Sequence, residues 1–109
     1  MAEIMFAIHI RPGKVELDRE RRDEMTVARR DEYVGALKDA GIMRQTVWHQ
    51  RMPNGGNLAI IYEEATDPEA HARFVSSNSE ISEWFAEVSG GDASRPALPV
   101  EQILDFRVP

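Results

Sequence analysis

Cysteine is absent from the 109-residue chain, which excludes disulfide scaffolds, thiolate metal sites and cysteine nucleophiles. A small core built without thiols also suits a reducing compartment. No apolar run approaches the roughly 20 residues needed to span a bilayer. Basic residues are outnumbered, 13 against 19, for a formal net charge of −6. That balance disfavours a sequence-independent nucleic-acid binder, which needs a basic surface to neutralise phosphates. It equally disfavours a protein held on anionic lipid. The opening MAEIMFAIHIRPGK carries no basic leader before its short alternating apolar run, unlike a signal peptide. GxGxxG, Walker, GxSxG and HExxH patterns are all missing, which disfavours the nucleotide, hydrolase and zinc chemistries they serve. The expectation is a cytoplasmic protein without metal or cofactor, forming a single domain over residues 1–109.

What is present is an orderly alternation of elements. IMFAIHIR, residues 4–11, places Ile4, Phe6, Ile8 and Ile10 on one strand face and Met5, Ala7, His9 and Arg11 on the other. Pro12 and Gly13 end it. From Lys14 to about Ala40 the composition is helical, and Gly41 stands where a helix C′ glycine belongs. MRQTVWHQR and NLAIIYEEA then flank Pro53-Asn54-Gly55-Gly56, a strong hairpin signal. With Asn54 and Gly55 as a two-residue turn, Trp48 lies opposite Ile61 and Val47 opposite Tyr62. Thr46, Trp48, Gln50, Ala59, Ile61 and Glu63 would then share one face, and Val47, His49, Arg51, Leu58, Ile60 and Tyr62 the other.

Asp67 and Pro68 begin a second helical region. It breaks near Ser76–Ser79 and restarts at Ser77, with Glu80 completing a capping box. Ile81, Trp84, Phe85 and Val88 form an apolar stripe that Gly90-Gly91 stops. The run from Asp92 to Pro99 reads as a surface connector. EQILDFRV reads as a last strand with Leu104, Phe106 and Val108 on one face.

The order β-α-β-β-α-β is the ferredoxin-like split βαβ pattern, an α+β fold with a four-stranded antiparallel sheet and its helices on one side. The opposite sheet face is left uncovered, and both hairpin faces carry apolar groups. A large exposed apolar patch is rarely tolerated by a monomer, so a homodimer with sheets face to face is expected.

Element order, the RPGK turn and the block TVWHQ, IIYEE, DPEA, SEWF together resemble the dimeric α+β-barrel superfamily, and within it an uncharacterised bacterial branch. The resemblance covers nearly the whole chain. It implies a pocket between sheet and helices or inside the barrel. The superfamily includes cofactor-independent monooxygenases, muconolactone isomerases, polyketide cyclases, stress-response proteins and haem-degrading enzymes, and fold analogy does not select among them.

Six residues are candidates for a site. Arg30 falls on a stripe with Val27, Val34 and Leu37 if the helix is continuous. An arginine there needs a partner, such as Glu63, Glu64 or Asp105, or an anionic ligand to anchor. His9 and His49 stand on strands beside apolar neighbours and could shuttle protons near neutral pH. Trp48, Gln50 and Tyr62 could line a pocket for a planar molecule, or serve a dimer interface. His71 is expected to be exposed, Trp84 and Phe85 to be core, and the segment LDRERRDEM to be a solvated helix or a dimer-flanking arm. The resulting expectation is a dimer that binds, and as an oxygenase, isomerase or cyclase transforms, a small planar anionic molecule without metal. The alternatives are a non-enzymatic binding or regulatory module and, more remotely, a haem-degrading enzyme.

Overall fold

The computed structural model describes residues 1–91 and 98–109, with backbone alone at 98 and 99. Strand β1 (Ala2–Ile10) leads into helix α1 (Val15–Asp23), a π-helical turn (Glu24–Ala28) and helix α2 (Arg30–Ala40). The hairpin β2 (Ile42–Arg51) and β3 (Asn57–Ala65) follows, then helices α3 (Ala70–Ser76) and α4 (Ser79–Ser89), and a two-residue strand β4 (Leu98–Pro99). The sheet is antiparallel in the order β2-β3-β1-β4. The fold is therefore α+β with the element order of a ferredoxin-like unit, built on three long strands and a vestigial fourth. The strand expected over EQILDFRV does not form. Pairing ends with Leu98 and Pro99 against Ala7 and Phe6, and Ile103, Leu104, Phe106 and Val108 are 73–90% exposed. The connector expected over 92–99 lies mostly outside the described residues.

The helices cover one sheet face. Ile10, Ala59 and Ile61 from the strands meet Phe74 of α3 and Trp84, Phe85 and Val88 of α4 in the core. Gly41 ends α2 at φ 88°, and a Cβ there would meet the Thr66 hydroxyl oxygen at 2.3 Å. Asn78 rather than Ser77 stands at the N-cap of helix α4. No capping box forms, because Glu80 turns instead to Arg29 across the helix layer.

Two departures from the expected geometry move the functional residues. The first is the hairpin register. Met52 and Gly56 close a three-residue loop in which Gly55 N–H donates to the Met52 carbonyl at 3.1 Å and Gly55 takes φ 87°. This is a turn plus a left-handed residue, the common three-residue hairpin with a bulge. Proline at the first central position and an Asn54 side chain that accepts from Gly56 N–H at 2.9 Å favour it over a two-residue turn. Val47 therefore pairs with Ile61 and Trp48 with Ile60. A one-residue slip exchanges faces, so Gln45, Val47 and His49 lie with Ala59, Ile61 and Glu63 under the helices. Thr46, Trp48 and Gln50 lie with Leu58, Ile60 and Tyr62 on the uncovered face.

The second is the π-turn. Arg29 N–H donates to the Glu24 carbonyl at 2.8 Å, five residues back. The extra residue rotates α2 by about 100° relative to a continuous helix. Tyr33 faces the core, while Val27 (74% exposed) and Arg30 face outward. The Val27–Arg30–Val34–Leu37 stripe assumed an unbroken α-helix and does not exist as drawn.

Candidate functional site

The covered sheet face holds a polar cluster inside an otherwise apolar layer. Val15, Asp18, Arg22 and Met25 recur at helical spacing on α1 and the turn after it, and this stripe carries Asp18 inward until it is fully buried. Asp18 Oδ2 accepts from His49 Nε2–H at 2.7 Å and from Arg22 Nε–H at 3.0 Å. Its Oδ1 accepts from the Trp84 indole N–H at 3.0 Å. The Arg22 guanidinium also lies 4.9 Å over the Trp84 ring, within cation–π range. A buried carboxylate is tolerated only when paired and hydrogen-bonded, and Asp18 has three donors. The other nitrogen of His49, Nδ1, accepts from the Asn57 side-chain amide at 3.2 Å.

A second buried carboxylate lies further along β3. Glu63, also fully buried, accepts from His71 Nδ1–H at 2.9 Å on Oε1 and from Gln45 Nε2–H at 2.7 Å on Oε2. Gln45 in turn accepts from the Tyr33 hydroxyl at 2.5 Å. Burial pushes the Tyr33 phenol up to about 12, with Glu63 adding to the rise and Arg22 opposing it. The His71 ring is held among aromatics, 4.0 Å from Phe6 and stacked at 6.4 Å on Phe85, centroid to centroid. No buried side-chain nitrogen or oxygen among the described residues lacks a partner. Nor do three His, Asp or Glu side chains among them converge as a metal would require.

Of the six candidates, His49 alone lies in this cluster. His9, Trp48, Gln50 and Tyr62 gather on the uncovered face, where Trp48 is 50% exposed and Tyr62 donates to Glu64 at 3.1 Å. Burial first, then Glu64, raises the Tyr62 phenol. Arg30 is exposed at the start of α2 and meets neither group. The arginine that does sit among the packing residues is Arg22, with Asp18 as its partner.

Asp18, Arg22, Tyr33, Gln45, Asn57, Glu63 and His71 were not legible as site residues. The segment holding Asp18 is not solvated throughout, and His71 is only 15% exposed at its side chain. One signal was present: Val15 and Met25 bracket Asp18 and Arg22 on a single helical stripe. Another was that a core tryptophan needs an acceptor for its N–H.

A shallow cleft of about 260 Å³ opens between α2 and the start of α4, lined in part by Arg29, Glu32, Tyr33, Asn78 and Glu80. Ligand pockets usually enclose ~300–1,000 Å³, and Arg29 already spans the cleft to Glu80 at 2.8 Å and Glu32 at 2.7 Å. Its charge is thereby spent on the protein's own carboxylates. Glu80, beside Arg29, is held below the usual carboxylate range.

No family model matches the chain, and no curated protein matches it. Among solved structures it is similar to the crystal structure of an L-rhamnose mutarotase from Formosa agariphila. The TM-score is 0.65 at 16% identity, with 98% of this chain and 100% of that chain covered. At that identity the likeness is one of fold. No described helix is long and apolar enough to cross a membrane.

Proposed function

We propose that the protein is an isomerase-type enzyme that moves protons on a small organic molecule without a metal, at the covered sheet face. The observation that carries this is the placement of two buried carboxylate–histidine pairs, Asp18–His49 and Glu63–His71, on one face of one sheet. Buried pairs of this kind are costly to keep, and a histidine oriented by a carboxylate is a general acid–base device. The two groups hold two carboxylates against one guanidinium, which pairs with Asp18, so they offer no unpaired guanidinium to an anion. A neutral, hydroxyl-bearing molecule suits it better than the planar anion expected from Arg30. The mutarotase with the similar fold acts on a substrate of that chemistry, and mutarotation needs proton transfers that open and re-close the sugar ring, with no redox step.

The same proposal gives the uncovered face to a second copy of the chain. Met5, Trp48, Leu58, Ile60 and Tyr62 form an apolar patch there, and His9 and Gln50 are its polar neighbours. Arg30 belongs to neither surface.

The test is exchange NMR on L-rhamnose, D-glucose and D-ribose, comparing anomer interconversion with and without protein. Acceleration of at least one sugar supports the enzyme. Binding without acceleration favours the rival, a non-enzymatic binding module. That rival is supported by the saturation of Asp18 and His49, whose side-chain polar atoms are all engaged within the protein.

A further inference from the structure

The geometry points to His71, and not His49, as the proton-carrying catalytic residue, with Glu63 as the group that orients it. This rests on the acid–base reading above and assigns its central role to a residue outside the set expected from sequence.

The two histidines differ in how many ring nitrogens are free to act. A carboxylate only accepts, so Asp18 accepts a hydrogen bond from His49 Nε2–H and leaves Nδ1 as the acceptor that the Asn57 amide fills. Both nitrogens of His49 are engaged, and any exchange with a ligand must first break a buried bond. His71 is bound at one end only. Its Nδ1–H donates to Glu63 Oε1 at 2.9 Å, and no described residue hydrogen-bonds its Nε2. In the neutral ring this makes Nε2 the acceptor, with its tautomer set from behind, the arrangement a general base requires. Contacts with Phe6 and Phe85 hold the ring plane, so little reorientation is needed when a proton arrives. Glu63 is itself held by Gln45, which Tyr33 holds in turn. The chain from Tyr33 to His71 thus ends, among the described residues, at a ring nitrogen without a hydrogen-bond partner on a side chain 15% exposed.

For a cyclic hemiacetal the step balances without any co-reactant. His71 Nε2 takes the proton of the anomeric hydroxyl. The carbonyl forms as the ring C–O bond breaks, and the imidazolium, stabilised by Glu63, returns its proton to the ring oxygen. Rotation of the aldehyde and the reverse sequence close the ring with the other configuration. One bond breaks and re-forms, the proton returns, and no electrons leave the substrate.

Two measurements test the assignment together. In the first, the wild-type protein is treated with diethyl pyrocarbonate, which acylates unprotonated accessible imidazole nitrogen, with and without L-rhamnose. The modified peptides are then read by mass spectrometry. His71 and the exposed His9 are expected to react, His49 is expected to stay inert, and the sugar is expected to protect His71 alone. In the second, His71→Gln is expected to lower kcat at least about 100-fold with KM little changed, as loss of a general base does. His49→Gln is expected to lower kcat at least tenfold less, with an accompanying fall in the midpoint of urea unfolding. Reaction at His49 in preference to His71, or full kcat in a folded His71→Gln protein, overturns the assignment. Should wild type accelerate none of the sugars, mutarotation fails as the activity. The labelling pattern then still decides whether His71 is the open ring.

Discussion

The two faces of the sheet are made from the same three strands and share nearly the same apolar content, yet they treat polarity in opposite ways. Under the helices, Gln45, His49, Asn57 and Glu63 are interleaved with Val47, Ala59 and Ile61, and each polar group has a fixed partner. On the uncovered face, His9, Trp48 and Gln50 are exposed beside Leu58 and Ile60. Polarity that is buried must be organised, because each unsatisfied group costs about 1–3 kcal/mol. Polarity left in water need not be. The proposed function follows this difference, giving chemistry to the covered side and association to the open one.

The comparison is broken most directly at Asp18. Asp18→Ala leaves the Trp84 indole, His49 and the Arg22 guanidinium without their acceptor, and a loss of about 3–5 kcal/mol in urea unfolding is expected. A loss under 1 kcal/mol would show the cluster to be solvated rather than buried. On the other face, Trp48→Ala should leave the stability of dilute protein within about 0.5 kcal/mol. It should weaken self-association by about 2 kcal/mol, as removal of a central aromatic anchor does. Sedimentation across a concentration series measures it, and an unchanged association constant would assign the open face to something other than a second copy.

Tyr33→Phe sharpens the comparison from the buried side. It removes one hydrogen bond, at a cost of about 1 kcal/mol near neutrality. Because the folded-state phenol is raised to about 12, Tyr33 stabilises fully below its ordinary value near 10. That contribution is lost as pH rises through about 12. Wild type should therefore lose stability over that window more steeply than Tyr33→Phe, with unfolding followed by fluorescence. The smallest effect is expected at the exposed pair of Arg29 and Glu80. Glu80 is depressed by Arg29, so its contribution is present above the ordinary carboxylate value and fades as pH falls through the depressed one. Glu80→Gln should lower the thermal midpoint slightly at neutral pH and match wild type in acid.

Much of the architecture was readable because it rests on local signals. The alternation in IMFAIHIR, the glycine after Ala40 and the stripe from Ile81 to Val88 each follow from one element's own period. The misplacements came from features that alter phase between elements. The π-turn is visible only as a hydrogen bond from Arg29 to Glu24, with no residue type that demands it, so Arg30 was assigned the inward position that Tyr33 holds. The hairpin loop contained its own clue in Pro53, but Asn54-Gly55 is the stronger signal for a shorter turn. The buried carboxylates were hidden because LDRERRDEM is so densely charged that composition alone argues for water. Only the three donors that meet at Asp18 make its burial affordable, and they come from α1, β2 and α4.

Hairpin tips ordinarily tolerate gains and losses of residues. The Pro53–Gly55 tip carries a parity rule instead. Where the three-residue turn is kept, adding or removing a single residue would pair Trp48 with a different partner and turn β3 over relative to β2, setting Glu63 on the side opposite Gln45. Changes in steps of two, or a longer loop closing the same Met52–Gly56 pair, preserve the arrangement. Relatives that keep this turn should vary in length at the tip by even counts, and an odd change with the same turn should mark a protein whose buried polar cluster has been rebuilt.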